Sequence, residues 1–243
     1  MTDTDPSDLD GPTDGAWPHR LAELTGQDPS PRRAEMWRLA DAARRVLHGL
    51  VMTDADDATI SDAADRLEEL AARFDTPGSR SIYEGFAEAA NSGTPTGFFD
   101  HSPMLGRANP LAPPITLEVL DDRTMQGTAV FGSAYEGPPG CVHGGYVAAA
   151  FDEVLGSAQS LGGQPGMTAR LAVDYRSPTP LHEALRFVGA FDRVEGRKIF
   201  TTGAVYAGER LCAEAQGLFV SIDPSTFREL REARSDERTP GPG

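Results

Sequence analysis

The sequence is poor in positive charge, and nearly all of the basic charge it has is arginine. Its 243 residues include 22 Lys and Arg against 37 Asp and Glu, and Lys198 is the single lysine. The formal net charge of -15 argues against nucleic acid as a partner, because phosphate binding needs clustered cations. Part of the acidity lies in residues 1–15, where Asp is mixed with Pro, Gly, Ser and Thr, and a disordered acidic tail is expected there.

Cysteines are few, and long apolar runs are missing. Cys141 and Cys212 belong to no CxxC motif and to no Cys–His set with zinc-ligand spacing, so neither a disulfide framework nor a structural zinc site is indicated. The sequence also has no basic start followed by an apolar stretch and no apolar segment long enough to span a membrane. We therefore expect a cytoplasmic protein without a membrane span or a metal.

Two amphipathic helices are predicted ahead of the main domain. Ser30, followed by proline, is typical of a helix start, and apolar residues recur at helical spacing over 36–50 and again over 60–74. We assign residues 16–92 to a helical N-terminal extension that covers one edge of the main domain, with a cap over a ligand site or a dimerisation element as alternatives. Residues 93–114, rich in Gly and Pro, are predicted to form a linker or lid.

The pattern over residues 115–223 is typical of an α+β domain. Two strand candidates at 115–120 and 125–131 precede a helix at 144–160 that is apolar almost all round, as a helix wrapped by a curved sheet must be. Four more strand candidates follow, at 169–176, 185–193, 198–206 and 211–222. A single sheet of this kind leaves an edge open, which favours pairing with a second copy. The last residues, 224–243, are predicted to be a tail.

The start of the predicted central helix carries the most specific motif. The segment Glu136-Gly-Pro-Pro-Gly-Cys-Val-His-Gly-Gly145 leads into the helix, and Asp152 follows nine residues after His143. This motif resembles the PaaI-type branch of the hotdog-fold thioesterase superfamily, as do the segments 175–178 and 194–198, which are similar to human long-chain acyl-CoA thioesterases. The resemblance covers about residues 115–222.

That resemblance implies a hotdog fold, in which a curved antiparallel sheet of order ββαββββ wraps one long central helix. It also implies hydrolysis of an acyl-CoA thioester in fatty acid metabolism, with no cofactor other than the coenzyme A of the substrate. Within it, Asp152 is the nucleophile or general base, Thr168 holds that carboxylate or the attacking water, and His143 orients the turn. Some relatives place an asparagine six residues before the histidine, whereas this sequence has Gly137.

The chemistry of these residues agrees with that role. A helix N-terminus presents unpaired N–H groups, so Gly144 or Gly145 is suited to polarise a thioester carbonyl. Nine helical steps separate His143 from Asp152 by about 13 Å, so one chain hardly closes the site alone. We therefore expect a homodimer or a dimer of dimers with the active site at the subunit interface.

An acidic protein must receive the phosphates of coenzyme A on a local basic patch. We expect Arg176, Arg197 and Lys198 to supply it, with Gly145 next to the thioester. Two other functions remain open at this point. A hotdog enoyl or 3-hydroxyacyl thioester hydratase-dehydratase uses a similar fold with different motifs, and a non-catalytic module binds an acyl ligand without turnover.

Overall fold

The computed structural model describes residues 29–75, 100–121, 123–163 and 166–221. The two predicted tails, 1–15 and 224–243, lie outside these residues, as do parts of the predicted extension and linker.

One six-stranded antiparallel sheet forms the centre of the molecule. Its strands are β1 Thr116–Val119, β2 Thr124–Val130, β3 Gly166–Tyr175, β4 Ala184–Glu195, β5 Lys198–Ala207 and β6 Arg210–Ser221. Their spatial order is β1-β2-β4-β5-β6-β3. The predicted strands are confirmed with small shifts at their ends. The largest of these shifts is at β3, which begins at Gly166 and so includes Thr168.

The sheet curves around one long helix, the third of the three α-helices described here, α3 Gly144–Gln159. Seven of its 16 residues are buried, including Phe151, Val154 and Leu155 at 0% exposure. Glycines in the sheet allow this close packing: a Cβ added at Gly189 or Gly203 would lie 2.9 Å from a side-chain atom of Val154 or Leu155, respectively. This arrangement confirms the predicted hotdog fold.

The first N-terminal helix, α1 Pro31–Met52, docks mainly through polar contacts. Its only buried residues are Ala40 and Arg44. Arg44 donates hydrogen bonds to the carbonyl oxygens of Arg107 and Asn109, at 3.0 and 2.7 Å. The segment 100–115 that accepts these bonds also buries Met104 and Leu105 in the core, so this part of the predicted linker is integral to the domain.

The second helix, α2 Asp57–Ala72, is capped by Asp56, whose side chain accepts the N–H of Thr59 at 2.8 Å. None of its residues is buried, and Ile60, Leu67 and Leu70 are each more than a third exposed. The expectation that both helices cover an edge of the domain is therefore wrong for α2 within the described residues. In the part of the chain that the structure describes, no helix is both long and apolar enough to cross a membrane.

Strand β3 forms one border of the sheet, since it pairs only with β6 among the described strands. It is ten residues long, and most of its side chains are exposed or half-exposed. Met167 and Tyr175, near its two ends, are 51% and 54% exposed. A long border strand with apolar exposure is the open edge that the sequence predicted.

Candidate active site

The start of α3 has one N–H group without an acceptor among the described residues. His143 is the N-cap: its Nδ1 accepts the N–H of Gly145 at 3.0 Å, and its carbonyl oxygen accepts the N–H groups of Tyr146 and Val147 at 2.9 and 3.3 Å. The N–H of Gly144 donates to no acceptor among the described residues. Gly144 is therefore the residue whose N–H is available to a substrate oxygen.

These hydrogen bonds give His143, Gly144 and Gly145 different roles at the helix start. Because Nδ1 of His143 accepts a hydrogen bond, it carries no proton, and the ring serves as a cap at the helix start. The N–H of Gly145 is occupied by that ring. Of the two glycines that the sequence offered as donors, the structure therefore favours Gly144.

Tyr175, at the end of β3, holds the next peptide group, between Gly144 and Gly145. Its hydroxyl donates to the carbonyl oxygen of Gly144 at 2.7 Å, a contact that the sequence did not predict. On the loop before the helix, a Cβ at Gly137 would lie 2.7 Å from Cα of His143. A side chain has no room at this position, which leaves backbone N–H groups as the candidate oxyanion donors.

Asp152 and Thr168 form the second half of the site. The hydroxyl of Thr168 donates to Oδ1 of Asp152 at 2.8 Å, and Asp152 remains partly exposed. Its Oδ2 has no hydrogen-bond partner among the described residues. The carboxylate is therefore oriented by one oxygen and keeps the other free for water or substrate.

The two halves of the site do not meet within one chain. Gly144 and Asp152 are eight residues apart on a continuous helix, which places them about 12 Å apart along its axis. Each half is fastened to a different end of β3, Asp152 through Thr168 and Gly144 through Tyr175. Strand β3 therefore carries both halves along the open border of the sheet.

A second carboxylate next to Asp152 was only partly anticipated. Glu153 interrupts the apolar helix in the sequence, but its partner, the Ser102 hydroxyl at 2.9 Å, was not predicted. Burial raises the pKa of Glu153, the Ser102 hydrogen bond opposes that rise, and the charge of Asp152 adds to it. No sequence periodicity reveals such a contact, because the two residues are 51 positions apart.

The three predicted phosphate-binding cations lie at two ends of the sheet. Arg176 follows β3 at its Tyr175 end and is paired with Glu214, with Nε 2.8 Å from the carboxylate. Arg197 and Lys198 lie at the other end, in the turn between β4 and β5 and at the start of β5. Arg197 donates to the carbonyl oxygen of Ser221, which pairs with the first residue of β3. A single chain therefore does not gather these cations into one patch.

Neither cysteine forms a disulfide, and Cys212 is buried. Among the described residues, no three His, Cys, Asp or Glu side chains are grouped so that they would hold a metal ion.

The comparisons with known proteins identify thioesterases. A family model described as the thioesterase superfamily matches residues 139–214, which include the helix start, Asp152 and Thr168. A solved thioesterase superfamily protein is 39% identical with a TM-score of 0.65, and the similarity covers 76% of this chain and 94% of that one. Residues 100–243 make up less than 76% of the chain, so the similarity extends into the part of the chain before residue 100.

Among the similar proteins are relatives named acyl-coenzyme A thioesterase THEM4. The protein from Xenopus laevis is 36% identical over 95 residues, and the one from Bos taurus is 37% identical over 95 residues. Each match covers 38% of this chain, and 43% or 39% of the relative, so less than half the length of either protein is matched. The solved structure, by contrast, is matched over almost its whole length. On that evidence the chain belongs to the thioesterase superfamily.

Proposed function

We propose that the protein is an acyl-CoA thioesterase that hydrolyses an acyl thioester to the free acid and coenzyme A. The Thr168–Asp152 hydrogen bond carries this proposal, because it orients a partly exposed carboxylate in a helix that is largely apolar apart from Asp152 and Glu153. Burying an ionisable group in such a helix is unfavourable unless the group has a partner or a role. The two relatives named acyl-coenzyme A thioesterase support the same activity.

In the proposed reaction, the free Oδ2 of Asp152 either takes a proton from water, whose oxygen attacks the thioester carbon, or attacks that carbon itself. The carbonyl oxygen becomes negatively charged and accepts the Gly144 N–H. The C–S bond then breaks, coenzyme A leaves as the thiolate, and the thiolate takes up a proton. If Asp152 attacks directly, water next hydrolyses the acyl-aspartyl anhydride. No cofactor takes part in either route.

We further propose that the working site forms between two chains that pair along β3. Antiparallel pairing about the middle of this strand brings Thr168 of one chain beside the Tyr175 end of the other. Because Thr168 holds Asp152 and Tyr175 holds Gly144, the same pairing joins the carboxylate of one chain to the oxyanion donor of its partner. The exposed apolar side chains of Met167 and Tyr175 would be covered by this pairing.

The same pairing supports a binding site for coenzyme A. It brings the Arg197 and Lys198 end of one chain near the Arg176 end of its partner, so the dimer gathers cations that one chain keeps apart. The helix start at His143 supports membership of the PaaI-type branch, and a role in fatty acid metabolism follows from the proposed substrate. The two free thiols fit a reducing cytoplasm.

The proposal is tested by thiol release from short, medium, long and aromatic acyl-CoA substrates. Wild type should turn over at least one class, and Asp152→Ala should lower kcat by about 10²- to 10⁴-fold, the usual contribution of a general base. The matched control is Asp62→Asn, which removes an exposed carboxylate of α2 that pairs with Arg66. It should retain wild-type activity. Absence of turnover with every acyl-CoA would refute the proposal.

Hydration of enoyl-CoA by the same preparation would instead identify a hydratase, and ligand binding without turnover would identify a binding module.

A further inference from the structure

Glu153 is a carboxylate beside the site for which the proposed reaction has no use. Consecutive residues of a helix point about 100° apart, so Glu153 and Asp152 leave α3 in different directions. Asp152 points to Thr168 on β3, whereas Glu153 points to Ser102 on the segment 100–115. A single turn of the helix is therefore held from two sides by side-chain hydrogen bonds.

Ser102 is placed to hold Glu153 firmly. It is buried, at 5% exposure, and its Oγ accepts the N–H groups of Met104 and Leu105 at 3.2 and 3.1 Å. A hydroxyl has one proton and two lone pairs, so the two backbone N–H groups use its lone pairs and leave its proton for Glu153. Because Met104 and Leu105 are core residues, the donor is fixed to the core of the domain.

The segment that carries Ser102 is in turn held by α1. Two residues before Ser102, the buried carboxylate of Asp100 accepts hydrogen bonds from Arg33 and from Nε1 of Trp37, the latter at 3.0 Å. Beyond Ser102, Arg44 of α1 donates to two backbone carbonyl oxygens of the same segment. A continuous set of polar contacts thus runs from α1 through the segment to the helical turn of Asp152.

The contact comes with an electrostatic disadvantage. Glu153 lies in a largely apolar setting and next to the carboxylate of Asp152, and both features disfavour its charged form. An apolar residue at this position would avoid both. A contact of this kind fits a need for orientation better than a need for stability.

We propose that Glu153 is a positioning residue, through which Ser102, the segment 100–115 and α1 set the orientation of Asp152. The inference rests on the proposed function, since it takes Asp152 as the catalytic carboxylate. Catalysis is sensitive to such orientation, because a displacement of about 1 Å in a reacting group lowers the rate by about 10²-fold. The N-terminal helix α1 is on this reasoning part of the catalytic apparatus.

The test compares Glu153→Ala, Ser102→Ala and Ser102→Thr in the full chain, with kcat and KM measured on the best acyl-CoA. Glu153→Ala and Ser102→Ala should each lower kcat about tenfold or more with KM within about threefold, because orientation acts on the transition state. Ser102→Thr keeps the hydroxyl and should restore kcat to within about threefold of wild type. The double alanine variant should be no slower than the slower single variant, since each single variant already breaks the Ser102–Glu153 hydrogen bond.

The control is Asp56→Ala, which removes the N-cap of α2 and should leave kcat within about twofold of wild type. Single variants at Glu153 and Ser102 within about twofold of wild type would overturn the proposal, as would a Ser102→Thr variant as slow as Ser102→Ala. Losses that multiply in the double variant would also overturn it.

A readout without substrate separates this inference from the proposed function. Amide hydrogen exchange over residues 150–156 should be faster in Glu153→Ala than in wild type or in Asp56→Ala. If wild type hydrolyses no acyl-CoA, the proposed function fails while the exchange result still decides whether Ser102 holds the helix. Unchanged exchange in Glu153→Ala would overturn the positioning role whatever the activity.

Discussion

A site shared between two chains predicts that two inactive variants restore activity when they are combined. The first is Asp152→Ala. The second is Gly144→Pro, which deletes the free N–H at a position where proline suits the first turn of a helix. The preceding residue, His143, has φ -59 and ψ 132, a conformation that a following proline accepts. Alone, each variant should lose about 10²-fold or more of wild-type activity.

The activity expected of a mixed dimer follows from the distance of about 12 Å between Gly144 and Asp152 along α3. A thioester carbonyl group must lie within about 3 Å of its donor and close to the carboxylate, so the two residues of one chain cannot serve the same substrate. In a mixed dimer, one site receives the intact Asp152 and the intact Gly144 from different chains, while the other site receives both lesions. Mixed dimers, isolated by co-expression with two different tags, should therefore show about half of the wild-type specific activity.

Gly144→Ala is the matched control for the proline variant. Its Cβ meets the same Tyr175 hydroxyl, at 3.1 Å, but the alanine keeps the N–H, so the ratio of the two activities isolates the loss of the donor. Mixed dimers that remain as inactive as their parents would refute the shared site, and so would an alanine variant as slow as the proline variant. Size-exclusion chromatography should first establish that each variant pairs as wild type does.

Three further predictions concern single side chains. Thr168→Val should lower kcat by about 10- to 100-fold, the value of a hydrogen bond to a charged group, and Thr168→Ser should retain most of it in the same thiol-release assay. Thr201→Val should raise the free energy of unfolding in urea by about 1 kcal/mol, because the buried Thr201 hydroxyl has no partner among the described residues. Burial, with His182 and Arg44 nearby, lowers the pKa of His48 in the folded protein. The unfolded chain therefore binds a proton at this histidine more readily, so the stability that neutral His48 contributes is present above pH about 6.5 and is lost as the pH falls. Urea titrations between pH about 7 and 5 should show wild type losing more stability than His48→Gln.

The parts of the site that the sequence predicted came from one local signal and from the resemblance. A carboxylate inside an apolar helix stands out without any structure, whereas the His143-Gly144-Gly145 helix start was identified through the resemblance. The strands were predictable because alternation of apolar and polar residues reports burial directly. The pairing of Thr168 with Asp152 came from its spacing in the resemblance, and the 2.8 Å contact agrees with it.

The remaining features depend on contacts between residues distant in the sequence. Arg197 and Arg176 are separated by the whole of β4, and the fold places them at different ends of the sheet. Amphipathic spacing predicted α2 correctly as a helix, but not that none of its side chains is buried in the described structure. Ser102 and Glu153 have no pattern that relates them. Polar contacts of this kind depend on which segments the tertiary fold brings together, and hydrophobic periodicity gives no information about that.

The docking of α1 gives the protein an optical reporter. The guanidinium groups of Arg33 and Arg107 lie 4.7 and 4.1 Å from the centre of the Trp37 ring, and its indole N–H donates to Asp100. The sequence contains two tryptophans, and the other is Trp17, so a Trp17→Phe variant has a single emitter. Release of α1 from Asp100 would expose the Trp37 indole to water and shift its emission to longer wavelength. Fluorescence therefore allows the attachment of this helix to be followed in real time, during unfolding or turnover, without any added label.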